Sequence, residues 1–235
     1  MRLLGLLIFS FMILSTTAQA ADYSQCSMQT PVTPAPETLP IMSLLPGNFH
    51  KVNSFIYRGA RIESPSQAQA LMKLGIKTVI NLQGGDLNSH VGEEFLGGFW
   101  PEVLPDVEPG ETPNEIAEEG AELEKAGLLT GNYLSVPIDS LSLVRSNEES
   151  RIEKILNIIN DPKTPRPIYI HCAHGADRTG LMVALYRVLT QNICMNTAHQ
   201  EWQSLGHDYV HTAFTSAMDE FYYQFLLEKI YLGLH

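Results

Sequence analysis

Positive charge is scarce in this chain. Its 235 residues carry 15 Lys and Arg against 26 Asp and Glu, a formal net charge of −11. No Lys/Arg-rich block stands out against that deficit, which argues against broad, non-specific binding to nucleic acid. Cysteine is scarce too. Cys26, Cys172 and Cys194 are too few for a disulfide scaffold, and their spacing fits no zinc knuckle. Charged residues make up only 17% and hydrophobic residues 44%. These values exclude a long disordered protein and a multi-span membrane protein, and they suffice for one core.

The longest apolar run lies at the N-terminus. Arg2 precedes Leu3 to Leu14, and the segment closes on Ala18-Gln19-Ala20. This is the anatomy of a secretory signal peptide over residues 1–20, cleaved after Ala20. The apolar run is shorter than the roughly 20 residues of a membrane-spanning helix, so no stable membrane insertion is expected after cleavage. Export to a periplasm or beyond the cell places the remainder in an oxidising space. Residues 21–46 carry Pro31, Pro34, Pro36, Pro40 and Pro46 and no apolar period. They read as an extended arm.

Residues 47–235 read as one domain of alternating strands and helices. Phe55 to Tyr57, Ile76 to Leu82, Tyr133 to Ile138 and Ile168 to Ile170 have strand character. Ser64-Pro65-Ser66-Gln67 and Thr112-Pro113-Asn114-Glu115 are helix-starting boxes, with helices expected to about Leu74 and Ala126. A third helix starts near Ser146. Its Ile152, Ile155, Leu156 and Ile159 fall on one face. Thr179 to Gln191 is apolar nearly all round and reads as a central helix. Two more follow over 197–204 and 212–231, the last burying Phe214, Met218, Phe221 and Phe225. Residues 86–111 are irregular, with Phe95, Phe99 and Trp100 expected to pin the loop to the body, a substrate lid being the alternative. The alternation predicts an α/β fold with a central, mainly parallel sheet flanked by helices.

The chemistry concentrates in His171 to Gly180, HCAHGADRTG. A five-residue loop between a strand end and a helix start turns its backbone N–H groups inward. That makes an anion nest at the positive end of a helix dipole. Ala173, His174, Gly175, Ala176 and Asp177 supply those amides, and Arg178 closes the ring with a bidentate grip on phosphate oxygens. Gly175 gives the turn a backbone angle that a side chain disfavours. Cys172 lies at the base of the nest, where the amides and Arg178 favour its thiolate, the nucleophilic form.

The string HC-x-x-G-x-x-R-T-G resembles the signature of the cysteine-based protein tyrosine and dual-specificity phosphatase superfamily. Upstream, YRGARIESPSQAQALMKLGIKTVINL resembles the opening of small bacterial and atypical dual-specificity phosphatases. The resemblance spans about residues 48–210 and implies that superfamily's α/β fold. It also implies a general acid/base from a loop upstream of the cysteine. Asp139, in VPIDS, follows the strand that starts at Tyr133 and matches that position. By the same resemblance, Thr179 steadies the departing thiolate and His171 holds the loop rather than acting as a base. Asp177 is an acid beside a phosphate nest, and its side chain is expected to point out of the ring.

These readings predict a phosphomonoester hydrolase with no cofactor and no metal, because Arg178 and the amides already neutralise phosphate charge. The expected partner is a phosphorylated protein or a small phosphomonoester, with an inositol phosphate or phosphoinositide as the alternative substrate. Three rival readings compete. A metal cluster of His171, Cys172, His174 and Asp177 fits no common zinc spacing. A sulfurtransferase needs no R-T-G and no Asp139. A phosphate-reading binding module would have lost Cys172, Arg178 or Asp139. At 1.5 Å per residue, the central helix puts Cys194 about 20 Å from Cys172. A disulfide needs Cα atoms within about 7 Å, so those two do not pair. Pairing of Cys26 with Cys194 stays open.

Overall fold

The computed structural model describes residues 26–29, 42–83, 113–138, 148–207 and 212–231. The signal segment, most of the Pro-rich arm, the 86–111 loop and Asp139 lie outside the described residues. So does the side chain of Phe214.

Five strands form one sheet: β1 (His50–Lys51), β2 (Ile56–Gly59), β3 (Thr78–Asn81), β4 (Tyr133–Ser135) and β5 (Ile168–His171). Their spatial order is β1-β2-β5-β3-β4. Among the described residues the β1–β2 pair is antiparallel, and the other three pairs are parallel. The short β1 was not apparent in the sequence; two residues carry no period. Around the sheet lie α1 (Pro65–Lys73), α2 (Pro113–Ala126), α3 (Glu148–Asn160), α4 (Asp177–Gln191), α5 (Met195–Ser204) and α6 (Thr212–Tyr231).

Side-chain alternation explains how the strands serve two layers at once. Ile80, Ile168 and Ile170 enter a large cluster with Ile152, Ile155 and Ile159 of α3, Leu181 and Leu185 of α4, and Met218, Phe221 and Phe225 of α6. Their neighbours Val79 and Tyr169 face the other way, into a smaller cluster with Leu71 of α1 and Leu123 of α2. Sandwiched between two layers, β5 is buried along its whole length. That is why it reads as a short, unbroken apolar run. Helix α4 is equally enclosed, buried continuously from Thr179 to Val188.

Local signals set the helix starts. Ser64 Oγ accepts from the Gln67 amide at 3.3 Å, with Pro65 at the first helical position. Gln67 Oε1 reaches back to the Glu63 amide, one residue before the cap. Helix α4 starts two residues earlier than its apolar pattern suggests, at Asp177, so the loop after β5 runs directly into a helix N-terminus.

The open cysteine question is resolved. Cys26 and Cys194 are joined, with Cα atoms 4.9 Å apart. The staple is reinforced by main-chain bonds from Ser27 N to Asn192 O and from Cys194 N to Ser27 O. It ties residues 26–29 to the α4–α5 junction and leaves Cys172 as the free thiol.

Candidate active site

The parallel register brings three strand ends to one level. Gly59 of β2 and Asn81 of β3 both align with His171 of β5. Ligand sites of α/β sheets gather at such carboxyl ends. Cys172 follows His171 immediately and is 3% exposed, at the edge of the larger apolar cluster. The loop then curls through His174, which is exposed, to the half-buried Arg178 in the first turn of α4.

Gly175 is required twice over. Its φ is +70°, and an added Cβ would run into the backbone of Gly59 and Ala60. The loop therefore lies directly on the end of β2. The Arg61 amide donates to Ala173 O at 3.0 Å. Arg58, 1% exposed, donates from Nη2 to Gly175 O and, at 3.4 Å, to Ala176 O. From the other side, Trp202 Nε1 donates to Ala176 O at 3.1 Å. The Trp202 ring also lies against Gly180, where a Cβ would strike it.

Asp177 does point away from the nest. Its Oδ1 meets His207 Nδ1 at 2.6 Å. The His207 ring stacks on Trp202 at 3.8 Å between centroids, and its Nε2 lies 3.2 Å from Asp219 Oδ1. The same Asp219 oxygen is 2.6 Å from His199 Nε2. His199, His207 and Asp219 are of metal-ligating types, yet one carboxylate oxygen bridges the two rings and hydrogen bonding accounts for the arrangement.

Beneath the loop, His171 is fully buried and stacks on Tyr169. Its Nε2 lies 3.4 Å from Glu119 Oε2. Burial lowers the His171 pKa, and Arg178 adds to that, while Glu119 and a backbone contact with Cys172 oppose it. Glu119 is itself held by the Ile62 amide (2.9 Å), Asn81 Nδ2 (3.1 Å) and Tyr133 Oη (2.6 Å). Thr179 is buried, and its hydroxyl makes no hydrogen bond among the described residues.

The structure thus brings together Cys172, Ala173, His174, Gly175, Ala176, Asp177, Arg178, Thr179 and His171. Asp139 lies outside the described residues, and Ile138, just before it, is bonded through its amide to Leu82 O. Arg58, Glu119, Trp202, His207 and Asp219 were not anticipated. Arg58 left a signal, a charge inside an otherwise apolar strand. Glu119 left a fainter one, an acid on the apolar stripe between Ile116 and Leu123. Trp202, His207 and Asp219 left none, since their meeting depends on how α5 and α6 pack.

A buried thiol at the base of such a nest suits attack on a bound phosphate. The sequence model of the tyrosine phosphatase family matches residues 50–218. The chain belongs to that family. It is 30% identical over 59 residues to the dual specificity protein phosphatase TpbA of Pseudomonas aeruginosa, a match covering 25% of this chain. The chain spans about a quarter of the length of the curated relatives it matches, 27%. Among solved structures, a Cys-to-Ser variant of P. aeruginosa TpbA in complex with pTyr is similar over 82% of this chain and 98% of that one. The identity is 20% and the TM-score 0.50, a likeness of fold. The core catalytic domain of the PP-IP phosphatase SIW14 from S. cerevisiae, in complex with citrate, is 20% identical. It matches over 75% of this chain and 87% of that one, with a TM-score of 0.49.

Proposed function

We propose that the chain is an exported, metal-independent phosphomonoester hydrolase that works through a thiophosphate on Cys172. Phosphorylated tyrosine, or serine and threonine, on protein is the substrate class. The observation that carries this reading is the placement of Cys172. The free thiol lies buried at the end of β5, inside a loop whose carbonyls are held from outside.

The reaction has two steps. Cys172 Sγ attacks phosphorus, the S–P bond forms and the bond to the leaving oxygen breaks. Asp139 gives that oxygen its proton. A water oxygen then attacks phosphorus, the S–P bond breaks, and Asp139 takes the water's proton. Phosphate leaves and the thiolate is restored. Throughout, the loop amides and Arg178 bear the charge on the equatorial oxygens, which is the service a metal renders elsewhere. The dual-specificity relative TpbA supports the choice of a phosphoprotein substrate.

The test is turnover of an aryl phosphate by the chain and by Cys172→Ser, with EDTA and with vanadate. Turnover is expected to resist EDTA, to be blocked by vanadate, and to fall by at least about 10⁴-fold in the variant. Activity that survives Cys172→Ser assigns the wrong nucleophile. Export is tested separately by the N-terminus of protein recovered outside the cytoplasm, expected at Ala21.

A further inference from the structure

Arg58 is a buried cation with no carboxylate partner among the described residues. Its Nη2 bonds two carbonyl oxygens of the loop, while its Nε and Nη1 bond nothing among the described residues. Desolvating a guanidinium in this way is costly unless an anion compensates. The charges acting on it identify the candidates. Cys172 is the largest favourable one, followed by Glu201 and then Tyr169, with Arg187 opposed. Glu201 is already engaged by a forked pair with Arg187, at 2.8 and 2.7 Å. Burial pulls the Arg58 pKa down to about 10, still far above neutrality, so the group stays charged.

The carbonyls that Arg58 holds have a geometric consequence. In a trans peptide the C=O and the following N–H point in opposite directions. Fixing Gly175 O and Ala176 O against Arg58 therefore aims the amides of Ala176 and Asp177 the other way. The Arg61 amide on Ala173 O does the same for the amide of His174.

We infer that Arg58 is the positioning residue of the phosphate nest: from β2 it turns the Ala176 and Asp177 amides inward and sets a fixed positive charge behind the Cys172 thiolate. This rests on the phosphatase reading above. The positive charge that meets thiolate and phosphate then comes from two arginines in different places. Arg178 grips from the rim, and Arg58 acts from beneath without touching substrate.

The experiment compares the disulfide-intact chain with Arg58→Met, which loses both the charge and the donor, and Arg58→Lys, which keeps the charge on a side chain one bond shorter. Three quantities are read: the pH profile of iodoacetamide alkylation of Cys172, the Kd for vanadate, and kcat and KM on an aryl phosphate. Circular dichroism confirms folding. Folded Arg58→Met is expected to show alkylation moved to higher pH, about tenfold slower near neutrality. Its vanadate affinity is expected to fall about tenfold and kcat/KM about 100-fold, chiefly in kcat. Arg58→Lys is expected to recover the alkylation profile but not the vanadate affinity, since its ammonium ends one bond short of the position from which Nη2 holds the two carbonyls.

Folded Arg58→Met with wild-type alkylation and vanadate binding overturns the inference. Should Arg58→Met not fold, Arg58→Lys decides: wild-type vanadate binding overturns the orienting role, and weakened binding on an unmoved alkylation profile supports it. If the unaltered chain turns over no phosphoester, the phosphatase reading fails. The alkylation and vanadate contrasts still judge Arg58.

Discussion

The loop from Cys172 to Arg178 is gripped from two sides that differ in kind. On the β2 side the contacts are backbone and charge. Gly175 lies on Gly59 and Ala60, the Arg61 amide reaches Ala173 O, and Arg58 reaches Gly175 O and Ala176 O. On the α5–α6 side they are aromatic and carboxylate: Trp202 on Ala176 O, His207 on Asp177, and Asp219 and His199 behind. The β2 side fixes where the peptide dipoles of the loop point. The α5–α6 side fixes where α4 begins and keeps an acid, Asp177, turned away from the nest. A loop this short has no core of its own, so its shape is borrowed from elements more than 100 residues away on one side and about 30 on the other.

Breaking the β2 side should cost most. Gly175→Ala sets a methyl group against the Gly59 and Ala60 backbone in a left-handed conformation. We expect activity to fall by about 10³-fold or more and stability by about 1–3 kcal/mol. Paired activity and urea-melt measurements check both, and a normal rate would show that the loop does not need the close contact. A smaller loss is expected on the other side. Trp202→Phe keeps a ring against Gly180 but removes the bond to Ala176 O. Because that oxygen retains the Gly180 amide and Arg58, the cost should be about 1 kcal/mol, or about fivefold in kcat/KM. An effect as large as that of Gly175→Ala would erase the distinction between the two sides.

The smallest effect concerns the floor of the site and appears in pH dependence. His171 has its pKa lowered from the ordinary 6.5, mainly by burial. A histidine kept neutral in the folded state stabilises fully above that value. Its contribution is lost as the pH falls from 6.5 toward the folded-state value, because the unfolded chain takes up a proton that the folded one refuses. The slope is at most about 1.4 kcal/mol per pH unit for one group. Urea midpoints at about pH 7.5 and 5.5 should therefore fall further apart in the parent chain than in His171→Asn. Equal gaps in the two proteins would exclude His171 as the source.

How much of this was legible in the sequence follows from how far apart the parts lie. Cys172, Gly175, Arg178 and their strand–loop–helix setting are contiguous, so that setting was readable from the spacing alone. The mainly parallel sheet was readable because β3 and β5 are apolar runs separated by helical periods. Strand ends were read too long at β3 and β4, since apolar residues such as Leu82, Val136 and Ile138 continue into the core beyond the ladder. The supports of the loop were not legible. Arg58 meets Gly175 across 117 residues, and Glu119 meets Asn81 across 38. No period or motif encodes such meetings. The disulfide was undecided for the same reason, as it closes 168 residues.

The most direct test of the central claim is to catch the intermediate. An aryl phosphate reaction quenched in acid within milliseconds should yield a phosphoryl group on the Cys172 peptide by mass spectrometry. A phosphoryl group on another residue, or steady turnover with Cys172 unmodified at every time point and undiminished in Cys172→Ser, would contradict the account.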